Sequence, residues 1–198
     1  MTLQDQEAND LWHTRGYLPH YDDGVAIQFI TFRLADSLPK NVIERFRLLL
    51  EHGTLSEIEY HRTVDKYLDN GFGESHLREA RIAAMVEENF LRHSGTKYRL
   101  FAWVIMPNHI HILLALIEGF SLADVMQRMK SYTSHRANKM LGRTGHFWSK
   151  EYFDRYIRNA EHFGRTVQYI EQNPVKARLC TQAEDWRFGS ARLRETAE

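Results

Sequence analysis

The chain has 198 residues, with 26 Lys and Arg balanced by 26 Asp and Glu, 43% hydrophobic residues and one cysteine, Cys180. This length suits one core rather than two ordinary domains, and the composition excludes wholesale disorder. A lone cysteine excludes an intrachain disulfide and a cysteine-based zinc cluster, so any metal must be held by nitrogen and oxygen.

No apolar run reaches the length of a membrane span, and the first twenty residues lack the apolar stretch of a secretion signal. A cytoplasmic protein with no membrane partner is expected. The zero net charge hides an asymmetry. Residues 1–124 carry 12 Lys and Arg against 18 Asp and Glu, a net of −6. Residues 125–178 carry 11 against 4, a net of +7, and residues 179–198 carry 3 against 4, a net of −1. One basic segment can make a face attractive to phosphate while the average stays neutral.

The first predicted strand is "VAIQFITFRLA", apolar on both faces and therefore central. Pro39 opens a helix over "KNVIERFRLLLEH", closed at Gly53. Residues 54–69 and 77–93 read as two further helices separated by the loop "NGFGES", a helical insertion at about 54–93 within a single domain spanning 1–198. "KYRLFAWVI" and "HIHILLAL" form an antiparallel hairpin turned at "MPN". Ser121 caps a helix running through "SLADVMQRMKSYTSHRANKML". "GHFWSKEYFDRYIRN" reads as strand or extended loop, and "AEHFGRTVQYIEQN" as a helix stopped by Pro174. Helices packed on an antiparallel sheet follow, an α+β fold.

Within the hairpin, His109 and His111 project to one face of a strand, where two neutral imidazoles can grip one divalent metal. H-x-H alone is a weak motif, and histidines on a wet sheet face share it. Here the flanking residues are apolar, so both rings need partners. No H-E-x-x-H and no acidic triad supplies the remaining ligands. If "VQYIEQN" is helical, Tyr169 and Asn173 share a face, presenting a hydroxyl beside an amide oxygen. Two histidines and an amide leave a cation able to polarise a phosphate, and a tyrosine can attack phosphorus.

"WVIMPNHIHILL" resembles the HUH motif (His, bulky hydrophobe, His) of single-tyrosine insertion-sequence transposases, and "YIEQNPVKARL" the tyrosine helix of their REP-associated branch. "RGYLPHYD", "SYTSHRANK", "GHFWSKEYFDRYIRN" and "DWRFGSAR" resemble that branch in the same order, so the likeness spans about Arg15 to Arg192. The resemblance implies a ferredoxin-like antiparallel sheet with flanking helices, and bacterial, nucleoid-associated action. It implies cleavage and rejoining of single-stranded DNA at REP-like hairpins through a 5′-phosphotyrosine, by a monomer or homodimer.

Carried over by position, His109 and His111 match metal ligands that also serve catalysis, Tyr169 the nucleophile and Asn173 the third ligand, with Mg²⁺ or Mn²⁺ as cofactor. Arg15, Tyr17 and His20 become N-terminal DNA contacts, and Lys130, Arg136, Arg143, Lys150, Arg155 and Arg158 backbone contacts. Tyr152 and Tyr156 lie near the basic segment and compete for the nucleophile's role; the four-residue relation to Asn173 favours Tyr169. The alternative is a non-catalytic, domesticated hairpin-DNA-binding protein, which would not need these four residues together.

Overall fold

Seven of the eight residues of Ile27–Leu34 (β3) are buried, because both faces of this strand meet a core. β3 is central, as its two apolar faces predict, in a computed structural model that describes residues 12–14, 19–21 and 26–194. Its sheet also contains β4 (Tyr98–Ile105), β5 (His109–Leu116) and β6 (Trp148–Tyr156). The order is β4-β5-β3-β6, antiparallel throughout. Two short strands, β1 (Trp12–Thr14) and β2 (Pro19–Tyr21), pair separately ahead of it.

The helices are α1 (Lys40–Glu51), α2 (Glu57–Asp69), α3 (Ala80–His93), α4 (Leu122–Leu141), α5 (Ala160–Glu171) and the single turn α6 (Asn173–Lys176). With α3 and α4 as crossovers, β3-α3-β4-β5-α4-β6 is the ferredoxin-like arrangement.

Strand alternation gives the sheet two different faces. Ile30, Phe32, Ile110 and Ile112 meet Ile82, Val86 and Phe90 of α3 and Met126 and Met129 of α4. Phe29, Val104 and Leu113 meet Val167 and Ile170 of α5. His109 and His111 share the side of Leu113, so the α5 face is the one that carries the histidines. α3 is built into the main core, whereas α1 and α2 pack on each other through Phe46, Tyr60, Val64 and Leu68.

Local chemistry sets the boundaries. Ser56 and Glu59 form a capping box at the start of α2, Ser121 Oγ accepts the Asp124 amide at the start of α4, and Gly142 ends α4 in the left-handed region. "WSKEYFDRY" is a strand, held by its ladder to β3 across one irregularity near Arg33. Pro174 does not stop the chain's helical course: it sits in the first turn of α6, where its missing N–H costs nothing.

Gly73, after α2, has φ +76°, and a Cβ there would lie 2.2 Å from the Asp36 carbonyl oxygen. Both neighbours of that contact are backbone, so relief requires the loop to move. Gly73→Ala is expected to destabilise the protein by more than about 1 kcal/mol in urea titration. An unchanged midpoint would show that the loop after α2 does not dock against Asp36.

Candidate active site

His109 and His111 are 1% and 0% exposed, and their Nε2 atoms stand 3.2 Å apart. Whether a proton can sit between them depends on what holds each Nδ1. Asn108 Nδ2 donates to the carbonyls of Leu68 and Phe72 at 3.0 and 3.4 Å, which turns its Oδ1 toward His109 Nδ1 at 2.8 Å. His109 therefore carries its hydrogen on Nδ1, and its Nε2 is a bare lone pair.

The second ring is fixed by a longer chain. His61 Nδ1 of α2 lies 3.2 Å from Asp65 Oδ2, and its Nε2 faces Thr31 Oγ1 at 3.1 Å. Thr31 Oγ1 in turn faces His111 Nδ1 at 2.7 Å. The carboxylate beside His61 Nδ1 favours the ring proton on that nitrogen, so Thr31 gives its one proton to His61 Nε2, its oxygen accepts from His111 Nδ1, and His111 Nε2 is bare as well.

Burial keeps all three rings neutral. It holds His61 and His109 down to about 3 and His111 well below the ordinary histidine value, with nearby Arg155, for His61, and the other histidines adding to the effect. Two buried lone pairs thus face each other, which costs free energy until a cation satisfies both. Two nitrogen ligands of one ion, each at about 2.1 Å, stand roughly 3 Å apart, so this spacing fits.

Among the described residues no three His, Cys, Asp or Glu side chains converge as a metal site. A cation on the two histidines therefore needs a donor of another type. Asn173 is 2% exposed, and its Oδ1 is buried with no hydrogen-bond partner. An amide oxygen is such a donor.

α5 brings Tyr169 onto this face. Its ring meets His111 with 5.4 Å between centroids and Phe29 with 5.9 Å, both edge-on. Its hydroxyl donates to Asp65 Oδ2 at 2.5 Å. Burial first, then the Asp65 carboxylate, hold the phenol above its ordinary value. Asp65 is pushed up to about 7 by burial, against the pull of the Tyr169 hydrogen bond and the Lys176 ammonium. The other two tyrosines lie elsewhere. Tyr152 pairs with Phe32 and Tyr156 with Gln28 in the β3–β6 ladder, on the α3–α4 side, across the sheet from the histidines.

A pocket of about 420 Å³ reaches Tyr169 and Asp65 and is lined by Arg62, Arg155 and Arg165 as well. The other basic residues singled out in the sequence do not gather there. Lys130 donates to the Lys150 carbonyl at 2.7 Å and packs over Tyr152, and burial lowers it to about 8. Arg136 lines a separate cleft of about 530 Å³ between α3 and α4. Arg143 binds His76 at 2.7 Å, Lys150 is exposed, and Arg158 lies over Tyr156. Arg15 and Tyr17 lie outside the described residues, and of His20 only its backbone pairing with His13 is described.

The three buried rings make the metal-free protein acid-sensitive. Each histidine binds fewer protons folded than unfolded below about pH 6.5, so its contribution is lost as pH falls. Asp65, raised to about 7, works in the opposite direction but is one group against three. A net of two protons corresponds to about 2–3 kcal/mol per pH unit at most. Urea titrations from pH 7 to pH 5 are expected to show this loss, and a flat profile would contradict neutral buried rings.

A family model described as "Transposase IS200 like" matches residues 57–173, more than half of the chain. The chain belongs to the IS200-like transposase family. Among curated relatives, the REP-associated tyrosine transposase of Escherichia coli K12 is 28% identical over 122 residues, covering 58% of this chain and 71% of the relative. A putative REP-associated tyrosine transposase of Haemophilus influenzae is 24% identical over 103 residues, covering 47% and 58%. The solved structure of a REP-associated tyrosine transposase bound to a REP hairpin superposes with a TM-score of 0.57 at 18% identity, covering 93% of this chain and 85% of that one. That likeness establishes the shared fold. The family makes this IS200-like transposase a DNA-processing protein, and no helix among its described residues is long and apolar enough to cross a membrane.

Thr31, His61, Arg62, Asp65, Asn108 and Arg165 of this transposase site escape a reading of the sequence. Asn108 reads as turn chemistry, and "EIEYHRTVDKYLD" as one amphipathic helix among others. The i, i+4 spacing of His61 and Asp65 was the one available signal, and it does not say what lies opposite.

Proposed function

We propose that this transposase cuts and rejoins single-stranded DNA at REP-like hairpins through a 5′-phosphotyrosine on Tyr169. The observation that carries this reading is the edge-on contact of Tyr169 with His111, whose Nε2 faces that of His109 at 3.2 Å. A hydroxyl nucleophile thus lies against a cation-ready pair of imidazoles. His109, His111 and the amide oxygen of Asn173 would hold Mg²⁺ or Mn²⁺. That ion supplies charge to polarise the scissile phosphate.

The chain's own residues account for the rest. Arg62, Arg155 and Arg165 line the pocket that reaches Tyr169 and would draw in the DNA backbone. The Tyr169 oxygen attacks phosphorus, the phosphate becomes linked to the tyrosine, and the 3′ oxygen leaves. The bond energy stays in the covalent intermediate, so rejoining by a 3′-hydroxyl needs no ATP. Lys130, Arg136, Arg143, Lys150 and Arg158, being spread over other surfaces, suit a hairpin stem, and Arg15, Tyr17 and His20 flanking bases. Such an enzyme, monomer or homodimer, would act at the bacterial nucleoid in the cytoplasm.

The test is incubation with single-stranded oligonucleotides from repeats flanking the protein's own gene, with Mn²⁺, followed by mass spectrometry. A DNA phosphate on Tyr169 is the expected result. Tight hairpin binding with no adduct under any divalent metal would instead indicate a non-catalytic binding protein.

A further inference from the structure

We propose that Asp65, delivered by helix α2, is the group that orients the Tyr169 hydroxyl and takes its proton as the oxygen attacks phosphorus. This rests on the transposase reading above and adds a catalytic residue to it. The contact joins residues 104 apart in sequence at 2.5 Å, so it is made by the docking of α2 onto α5 and not by local geometry. A phenol is a poor nucleophile while it keeps its proton, and with an ordinary pKa of about 10 it keeps that proton at neutral pH. Attack therefore needs a base already in hydrogen-bonding contact, and the Tyr169 hydroxyl donates to Asp65.

The carboxylate is built for that exchange. His61 Nδ1 lies 3.2 Å from the same oxygen, while Oδ1 is buried without a hydrogen-bond partner and can carry a proton. Burial has already raised Asp65 to about 7, close to the range in which a base both holds and releases protons. The charged and titratable groups around it are His61 and Asp69 on α2, Tyr169 on α5 and Lys176 on α6, with Arg62, Arg155, His162 and Arg165 lining the same pocket.

The step balances as follows. The Tyr169 Oη–P bond forms as the P–O3′ bond breaks, and the bonding pair leaves on the 3′ oxygen, which is protonated from water. The phenolic proton passes to Asp65 Oδ2. In rejoining, a 3′-hydroxyl attacks the phosphotyrosine and gives its proton to water, the P–Oη bond breaks, and Asp65 returns its proton to the departing phenolate. α2 is thereby part of the catalytic machinery and more than a cover over the sheet.

The experiment measures single-turnover adduct formation by the full chain with a hairpin oligonucleotide and Mn²⁺ across pH 5.5–9. Hairpin affinity and thermal unfolding of each variant are recorded alongside. Asp65→Asn is expected to slow adduct formation by on the order of 100- to 1,000-fold without weakening hairpin binding, and to remove the loss of rate at acid pH. Asp65→Ala should regain part of its rate from added formate, which a purely structural role would not produce.

A second readout needs no DNA: ¹³Cζ-labelled tyrosine resonances, with Tyr169 assigned through Tyr169→Phe. Asp65→Asn should move the Tyr169 titration to lower pH. Wild-type rate and pH profile in Asp65→Asn, or an unmoved Tyr169 titration, overturns the assignment of Asp65 while the transposase reading stands. Absence of any adduct in the wild type overturns that reading, and the labelled-tyrosine titration then still decides whether Asp65 holds the hydroxyl.

Discussion

Replacing Tyr169 with phenylalanine is expected to abolish the covalent protein–DNA adduct, a loss of at least about 10⁴-fold in rate. The substitution removes one oxygen and leaves the ring, so the contacts with His111 and Phe29 persist and the fold should survive. Asp65 loses the Tyr169 hydrogen bond but keeps His61 Nδ1 at 3.2 Å, a change of about 1 kcal/mol in stability. Neither Tyr152 nor Tyr156 can stand in, because they pair with Phe32 and Gln28 and face the opposite side of the sheet. Hairpin affinity should hold, since the arginines lining the pocket are untouched. The measurement is a denaturing gel of labelled oligonucleotide with peptide mapping of any residual adduct. Undiminished adduct in this variant would remove Tyr169 from the mechanism.

His109→Gln is expected to separate metal binding from folding. In the wild type two bare Nε2 atoms face each other at 3.2 Å, so the metal-free protein carries a buried, unsatisfied pair. A glutamine amide at position 109 can donate to His111 Nε2 and relieve it. Without metal, this variant should be as stable as the wild type or more so. With Mn²⁺ at 100 times the dissociation constant the wild type should gain about 2.7 kcal/mol, roughly 5–10 °C in melting temperature for this size, and the variant nothing. Adduct formation should fall by at least about 10³-fold in the variant and in chelated wild type. Thermal melts with and without Mn²⁺ check the first effect and gel assays the second. Equal metal-induced stabilisation of both proteins would mean that the cation sits elsewhere.

The two halves of this site differ in how visible they are along the chain. His109 and His111 stand out because a strand's period of two puts them on one face of an apolar run, and Tyr169 and Asn173 because a helix turn relates them. These are short-range regularities, and α5 carries the tyrosine onto the histidine face as a helix over the sheet should. The single phosphate-attracting face expected of the basic segment is different: its residues alternate along β6 and wind around α4, so Arg155 lines the Tyr169 pocket while Lys130 and Arg136 point elsewhere. Charge counted along a chain says nothing about which face receives it.

The amino-acid sequence by itself determined most of the helices, β3 with its central place, the β4–β5 hairpin and the shared face of His109 and His111, because hydrophobic periodicity and turn chemistry act over a few residues. Only the tertiary structure decided that Asn108 fixes one imidazole through the carbonyls of Leu68 and Phe72, and that Thr31, His61 and Asp65 fix the other. It alone set Asp65 against the Tyr169 hydroxyl. The contacts of α2 with Thr31, Asn108 and Tyr169 join residues 30 to 104 apart, and they exist because α2 docks over the histidine face of the sheet. A helix reports its own amphipathic stripe in its sequence, but the polar residues beside that stripe acquire partners when another surface arrives.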